Sequence, residues 1–255
     1  LHAQLWAPIE AALDGVEHAI ILPHRELHYV PFCALHDGAV ALVERRALSL
    51  APSAATWLAG RTAMRRPSTV LALGVGGPSL PHVASEVSAV ASRFTGWSRV
   101  RLDGEATLAA LRDGLAGADV LHLACHGQFR ADSPYFSSLQ LADGPLTLRD
   151  AAALPIEAGL VTLSACETGQ SRVAPGDELL GLVRGFLMGG ASMVLASAWT
   201  VEDQATADLM SAFYGELVSG AEPAQALRSA QRALMAGCSH PYFWAAFSLH
   251  GRATV

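Results

Sequence analysis

Two short segments carry residue types that could do covalent chemistry. Cys125-His126-Gly127 follows one apolar run, and Ser164-Ala165-Cys166-Glu167-Thr168-Gly169 follows another. A free thiol titrates near ~8.5, and a nearby imidazolium favours the thiolate. A cysteine with a histidine supplied from elsewhere in the fold is the arrangement of a cysteine nucleophile. We therefore predict that His126 and Cys166 form a catalytic dyad, whereas Cys125, whose side chain points to the opposite face of its strand, is structural or at most redox-sensitive.

The elements around these segments predict how they are positioned. The runs 70–73, 120–124, 160–163 and 193–196 are apolar on both faces, which is typical of strands covered by helices on both sides. Amphipathic helices between them, such as 81–94, predict an α/β fold with three layers and a mostly parallel central sheet. Chemistry in such sheets lies beyond the carboxyl ends of the strands. If the strands before His126 and Cys166 are neighbours, the two side chains face each other.

Three other segments carry local predictions. Residues 29–35 and 39–43 resemble the arms of a β-hairpin, with Asp37-Gly38 as the turn. Residues 128–145 are predicted to be rich in loops. Residues 170–176, after the candidate nucleophile, are predicted to form a loop at the rim of the site.

Composition excludes several classes of protein. The chain has 255 residues, 51% of them hydrophobic, and a net charge of −6. These values exclude a disordered chain and argue against a nucleic-acid binder that tracks phosphates. All 17 basic residues are Arg, which excludes a Schiff-base or P-loop lysine. The longest run without a charged residue or histidine, 185–201, is shorter than the ~20 residues of a membrane-spanning helix, and Gly189-Gly190 divides it.

The cysteine content and the first residues of the sequence indicate the cellular compartment. Four scattered cysteines do not form a disulfide framework, and the first residues lack the pattern of a signal peptide. We expect a cytoplasmic protein with reduced thiols.

Two other kinds of site fit the sequence less well. Gly74-Val75-Gly76-Gly77-Pro78 follows a strand but lacks the third spaced glycine of a dinucleotide fingerprint, so a plain turn is favoured. A zinc site would have to be assembled from cysteines and histidines that include no Cys-x2-Cys pair, so no metal is predicted. Its candidate ligands are His122, Cys125, His126, Cys166, Cys238 and His240.

Acidic residues at strand ends are candidates for a substrate pocket. The residue before the cleaved bond of a substrate is called P1, and an enzyme holds it in a pocket. Asp203 is the first choice for the base of this pocket and Glu202 is the second. Glu167, which directly follows the candidate nucleophile, is the third candidate. An acidic pocket would favour Arg or Lys at P1. The competing interpretation is that these acids stabilise helix N-termini, and P1 would then be apolar.

The motifs together resemble the CHAT domain family, the caspase-like domains often found with tetratricopeptide repeats. The strand ending in His126-Gly127 and the Ser-Ala-Cys-x-Thr-Gly segment around Cys166 are similar to the family's two site motifs. Weaker matches follow at Gly176-Asp177-Glu178-Leu179, Gly189-Gly190-Ala191, Ser197-Ala198-Trp199 and 240–247. Members more often have Thr or Ser where this chain has Cys125.

The resemblance implies a caspase/separase-like fold and cysteine endopeptidase activity without a metal or organic cofactor. It implies that Cys166 is the nucleophile, that His126 is the proton-transfer residue and that the N–H groups of Gly127 and Cys166 form an oxyanion hole. It also implies a protein substrate, an attached or partner regulatory module such as tetratricopeptide repeats, and roles in bacterial defence or programmed death. A catalytically silent interaction or scaffold module is the alternative.

We expect one domain over residues 1–255. Residues 1–17 would be a linker helix to another module, 18–66 an N-terminal part and 67–255 the catalytic core.

Overall fold

A computed structural model of the chain describes residues 1–59, 66–128, 137–165, 177–199 and 201–252. The described strands are β1 (His18–Ile21), β2 (Ala47–Leu50), β3 (Val70–Gly74), β4 (Ser98–Leu102), β5 (Val120–Ala124), β6 (Gly127–Gln128), β7 (Ser138–Leu141), β8 (Gly144–Thr147), β9 (Leu160–Ser164), β10 (Met193–Ser197) and β11 (Phe247–Gly251). The described helices are α1 (His2–Leu5), α2 (Ala7–Glu10), α3 (Leu42–Arg45), α4 (Ala54–Ala59), α5 (Val83–Ala91), α6 (Leu108–Gly114), α7 (Leu148–Ala153), α8 (Asp177–Met188), α9 (Asp203–Ser219), α10 (Pro223–Gly237) and α11 (Pro241–Trp244).

Within the described residues, eight strands form one sheet in the order β1-β2-β11-β10-β9-β5-β3-β4. The five strands from β10 to β4 are mutually parallel, whereas β11 is antiparallel to β10 and carries β2 and β1 parallel to itself. The carboxyl ends of the five parallel strands therefore share one edge of the sheet.

Helices cover both faces of the sheet, and alternate residues of each central strand enter different cores. Val120 and Ala124 of β5 pack with residues of α5, α9 and α10. Leu121 and Leu123 pack with residues of α6, α7 and α8 on the other face. The predicted three-layer α/β fold with a mostly parallel sheet is confirmed. None of the described helices is long and apolar enough to cross a membrane.

The predicted hairpin over 29–43 is wrong. The backbone forms two 3-10 helices, Arg25–Tyr29 and Phe32–Ala34, followed by α3. The Asp37-Gly38 turn exists, because the Asp37 carboxylate accepts the N–H groups of Ala39 and Val40, but it joins only an isolated bridge. The strand of this region is β2, which the sequence analysis missed.

The segment 128–145 is more ordered than predicted where it is described. Strands β6, β7 and β8 form a small antiparallel sheet that begins directly after His126. The sequence signals of this hairpin are the alternation of buried Leu139 and Leu141 and the turn Ala142-Asp143 that precedes Gly144. Residues 129–136, 166–176 and 200 lie outside the described part, and with them Cys166, Glu167 and the loop predicted at 170–176.

Gly189 and Gly190 end α8 where the chain must turn into β10. A Cβ atom at Gly190 would lie 2.4 Å from the carbonyl oxygen of Ile156, and one at Gly189 would lie 2.5 Å from that of Ala151. Gly190 also has φ +116°, which L-residues rarely adopt. The close approach brings the segment before β9 against the end of α8.

We expect Gly190→Ala to lower the free energy of unfolding by about 2 kcal/mol or more, because strain and backbone contact add. Gly237→Ala is the matched control, since a Cβ there meets no atom within 4 Å. Chemical denaturation of both variants measures the difference. Equal stabilities would contradict the packing argument.

Candidate active site

Strands β5 and β9 are neighbours, as the dyad prediction requires. They pair in parallel, with Ala124 opposite Ser164. In the sequence, the candidate site residues 126 and 166 each follow one of these paired residues by two positions. Cys166 lies outside the described residues, but Ala165, which precedes it, is described and buried.

Hydrogen bonds connect neighbouring strands at their carboxyl ends, up to the residues that precede the candidate dyad. They link β3 to β5, β5 to β9, β9 to β10, and β10 to the segment before β11. The bonds are Val75 N–H to Ala124 O (2.9 Å), Cys125 N–H to Ser164 O (3.3 Å), Ser197 Oγ to Ala165 O (3.2 Å) and Ala198 N–H to Ala246 O (2.8 Å). The backbone at the start of both site segments is thus held by its neighbours.

His126 is half-buried just beyond β5. Its Nε2 atom lies 3.2 Å from Oγ of Ser79, which comes from the turn after β3. Its carbonyl oxygen accepts the N–H of Gln140 at 2.8 Å. The side chain of His126 therefore contacts the turn after β3, and its backbone is bound to the small sheet.

Gly127 begins β6 and is buried opposite Leu139. Since His126 and Gln140 form the hydrogen-bonded pair, Gly127 occupies the alternate, non-hydrogen-bonded position of the antiparallel ladder. The ladder to β7 thus does not use the Gly127 N–H.

Cys125 points away from His126. It is 1% exposed and packs in the core with α6, α7 and α8. Burial raises the pKa of the Cys125 thiol to about 12, so the group stays neutral at physiological pH. A buried neutral thiol is a poor nucleophile.

The candidate acids have different surroundings. Asp203, the first residue of α9, accepts the backbone N–H of His82 through Oδ2 at 2.7 Å. Glu202 precedes the helix and is exposed. Glu167 lies outside the described residues. The contact between Asp203 and His82 had no sequence signal, because 121 residues separate the two.

A buried polar cluster lies beneath the two strand ends. His122 and Thr162 are register partners on β5 and β9, each four residues before a candidate dyad residue. The hydroxyl group of Tyr214, from α9, contacts both: it donates to Thr162 Oγ1 at 2.7 Å and lies 3.2 Å from His122 Nδ1. It therefore bridges the two strands that carry the site.

Glu86, from α5, closes the other side of this cluster. Its Oε1 atom lies 3.1 Å from His122 Nε2 without the alignment of a hydrogen bond, so the contact is electrostatic. Burial, together with the charge of Glu86, raises the pKa of Tyr214, which keeps its hydroxyl proton for Thr162. Sequence analysis considered His122 only as a zinc ligand and missed Tyr214 and Glu86.

His122 and Cys125 lie on opposite faces of β5, which separates two of the zinc candidates. No group of three Cys, His, Asp or Glu side chains in the described ranges is arranged to hold a metal ion.

Comparisons with known proteins show the family and the fold of the chain. The model of the CHAT domain family matches residues 1–252. The chain belongs to the CHAT domain family. Mouse (Mus musculus) tetratricopeptide repeat protein 28 is 26% identical over an alignment of 319 positions, which covers 98% of this chain and 13% of the mouse protein. The CHAT chain thus spans about one eighth of that relative.

Two solved structures show the same fold. The Arg-specific cysteine proteinase gingipain R superposes with a TM-score of 0.59 at 10% identity, over 82% of this chain and 55% of the proteinase. A Saccharomyces cerevisiae separase–securin complex gives 0.60 at 14% identity, over 92% of this chain and 15% of that one. The CHAT chain therefore has the caspase-like fold of these neighbours.

We expect Tyr214→Phe to destabilise the protein by about 1–3 kcal/mol, because it leaves buried polar atoms of His122 and Thr162 without their partner. Tyr242→Phe is the control, since Tyr242 is 42% exposed. Denaturant unfolding of both variants tests the expectation. An unchanged midpoint in Tyr214→Phe would show that the bridge does not contribute to stability.

Proposed function

We propose that this CHAT domain is a cysteine endopeptidase in which His126 and Cys166 act as a dyad. The observation that carries the proposal is the parallel pairing of β5 and β9 with Ala124 opposite Ser164. Residues at equal distances beyond a parallel pair leave the sheet at the same edge. Cys166 is joined to Ala165, whose carbonyl oxygen is held by Ser197, and consecutive Cα atoms are about 3.8 Å apart.

The proposed reaction follows from these groups. The imidazole of His126 takes the proton of the Cys166 thiol, and the thiolate attacks the carbonyl carbon of the scissile peptide. The C–N bond then breaks, the imidazolium protonates the leaving amine, and a thioester remains. Water hydrolyses the thioester and returns the thiol. The N–H groups of Gly127 and Cys166 would stabilise the oxyanion, and the ladder position of Gly127 supports its part.

We propose that the enzyme prefers Arg or Lys at P1. The chain places acidic residues after its strands, and Glu202, exposed next to Asp203, is available to contact a cationic side chain. Glu167 is the third candidate for this role. A wrong charge left uncompensated beside the pocket would weaken binding.

A repeat module is the partner we propose for the N-terminal surface. Of the large apolar side chains that are exposed in the described part, Leu1, Ile9, Val16 and Leu22 fall within the first 22 residues. Of these, Ile9, Val16 and Leu22 line a groove of about 480 Å³ along β1, whose described lining is apolar except for His18. Tetratricopeptide repeats present amphipathic helices, and the mouse relative carries this name. The attached module would restrain proteolysis until a signal arrives, as in defence or programmed death.

The endopeptidase proposal is tested by peptide-library cleavage with purified protein. We expect Cys166→Ala and His126→Ala each to abolish cleavage, and the double variant to be no worse than either one, because the two groups act as a unit. Cys125→Ser is the matched control and should keep substantial activity. Cleavage by Cys166→Ala would contradict the dyad, and a profile without preference for Arg or Lys would contradict the P1 assignment. A folded wild type that cleaves nothing and whose Cys166 no electrophilic peptide labels would favour the silent module.

The partner proposal is tested by calorimetric titration with a repeat region from a protein that also carries this domain. We expect the double substitution of Ile9 and Leu22 by Glu to weaken binding at least tenfold, because charges would enter an apolar contact. Leu58→Glu, at an exposed leucine outside the groove, should not change the affinity. Equal affinities for all three proteins would contradict this docking surface.

A further inference from the structure

We propose that Ser79 is a positioning residue for His126: its hydroxyl group, 3.2 Å from Nε2, holds the imidazole ring and its tautomer for proton transfer. The inference rests on the proposed function and extends it to the turn after β3, which sequence analysis treated as a plain turn.

The turn around Ser79 has a defined geometry. The N–H of Leu80 donates to the carbonyl oxygen of Gly77 at 3.0 Å, which closes a four-residue turn. Pro78 occupies its second position, where the fixed φ of proline favours a turn. Ser79 is therefore the third residue, exposed at the tip, and its hydroxyl group is presented to His126.

Three contacts fix this turn to the rest of the protein. On the N-terminal side, the N–H of Gly76 donates to Oδ1 of Asp103 at 3.1 Å. On the C-terminal side, the side chain of Leu80 is buried in the core, and the N–H of His82 donates to Oδ2 of Asp203 at 2.7 Å. A hydroxyl group on a turn held at both ends can orient a ring, which one on a loose loop cannot.

The hydroxyl group suits the chemistry of a histidine base. When Ser79 Oγ accepts the Nε2–H of neutral His126, the lone pair remains on Nδ1 to take the thiol proton. Once Nδ1 is protonated, the same bond becomes charge-assisted and stronger. Ser79 thus favours the imidazolium–thiolate form and adds no charge. The charged or titratable groups that hold or belong to its turn are Asp103, Asp203 and His82.

The test is the pH dependence of alkylation of Cys166 by iodoacetamide, followed peptide by peptide by mass spectrometry in the intact chain. Iodoacetamide reacts with the thiolate and carries no P1 side chain, so the rate reports the dyad and not the substrate pocket. Cys238, an exposed free thiol, is the reference within the same molecule. We expect half-maximal alkylation of wild-type Cys166 at a lower pH than that of Cys238.

In Ser79→Ala we expect the Cys166 midpoint to rise and its rate near neutral pH to fall about three- to tenfold, the range of one hydrogen bond. Ser79→Thr keeps the hydroxyl group and should restore the rate. Ser88→Ala, an equivalent change at an exposed serine of α5, should have no effect. Suppose that Cys166 is alkylated at a lower pH than Cys238 in the wild type. If Ser79→Ala then has the same pH profile as the wild type, the role of Ser79 is overturned but the dyad is left intact. Equal midpoints for Cys166 and Cys238 in wild type would instead overturn the dyad, and the role of Ser79 with it.

Substitution of Asp203 is a second test, because its two proposed roles, anchor of the Ser79 turn and base of the substrate pocket, predict different results. As an anchor of the turn, Asp203→Ala should slow iodoacetamide alkylation of Cys166 in the same direction as Ser79→Ala. As the base of the substrate pocket alone, it should change P1 preference and leave alkylation unchanged. Asp208→Ala, at an exposed acid of the same helix, is the control. Unchanged alkylation in Asp203→Ala would overturn its part in holding the turn.

Discussion

The geometry of the site follows from the register between β5 and β9. Both strands are buried along their whole length, and a shift by one residue would send every side chain to the opposite face. Cys125 would then leave the core that it shares with α6, α7 and α8, and His122 would enter that core, away from Tyr214 and Glu86. The alternation that places Cys125 in this core is the same one that turns His126 to the opposite face.

The hydrogen bonds of the Tyr214 hydroxyl group favour this register over others. Apolar side chains pack in many arrangements of similar energy, whereas buried polar groups tolerate few, because an unpaired one is costly. His122 and Thr162 satisfy the Tyr214 hydroxyl group together only when they lie opposite each other. Glu86 adds a buried contact to the same imidazole, and removing one partner of such a contact is costly because the other is left buried without it.

Two helices connect this cluster with the edge of the sheet. α5 contributes Glu86 to the buried cluster, and His82, the residue before α5, contributes its N–H to the outer contact, while α9 contributes Tyr214 and Asp203. The elements α5 and α9 thus meet in two places, at the buried polar cluster and beside the turn that carries Ser79. The geometry around His126 is therefore a property of the packed layer and not of its own loop.

The sequence was sufficient to predict the central α/β layers and the two strand ends that carry reactive residues. Apolar runs and amphipathic helices are local patterns, and burial on both faces leaves few alternatives for runs such as Val120–Ala124. It also determined that Cys125 and His126 point to opposite faces, since that follows from the pleat. The family resemblance rested on the same local motifs.

Contacts between residues that are far apart in the chain could be found only in the folded structure. Residues 29–43 carry the alternation of a hairpin, but Phe32 and Leu35 are buried in a separate small core, and the chain folds into short helical turns instead. Ser79 reaches His126 across 47 residues and Asp203 reaches His82 across 121. A serine on a turn or an acid at a helix start has the same local signature whether or not a partner lies opposite. Such contacts come from the packing of layers, which no local pattern encodes.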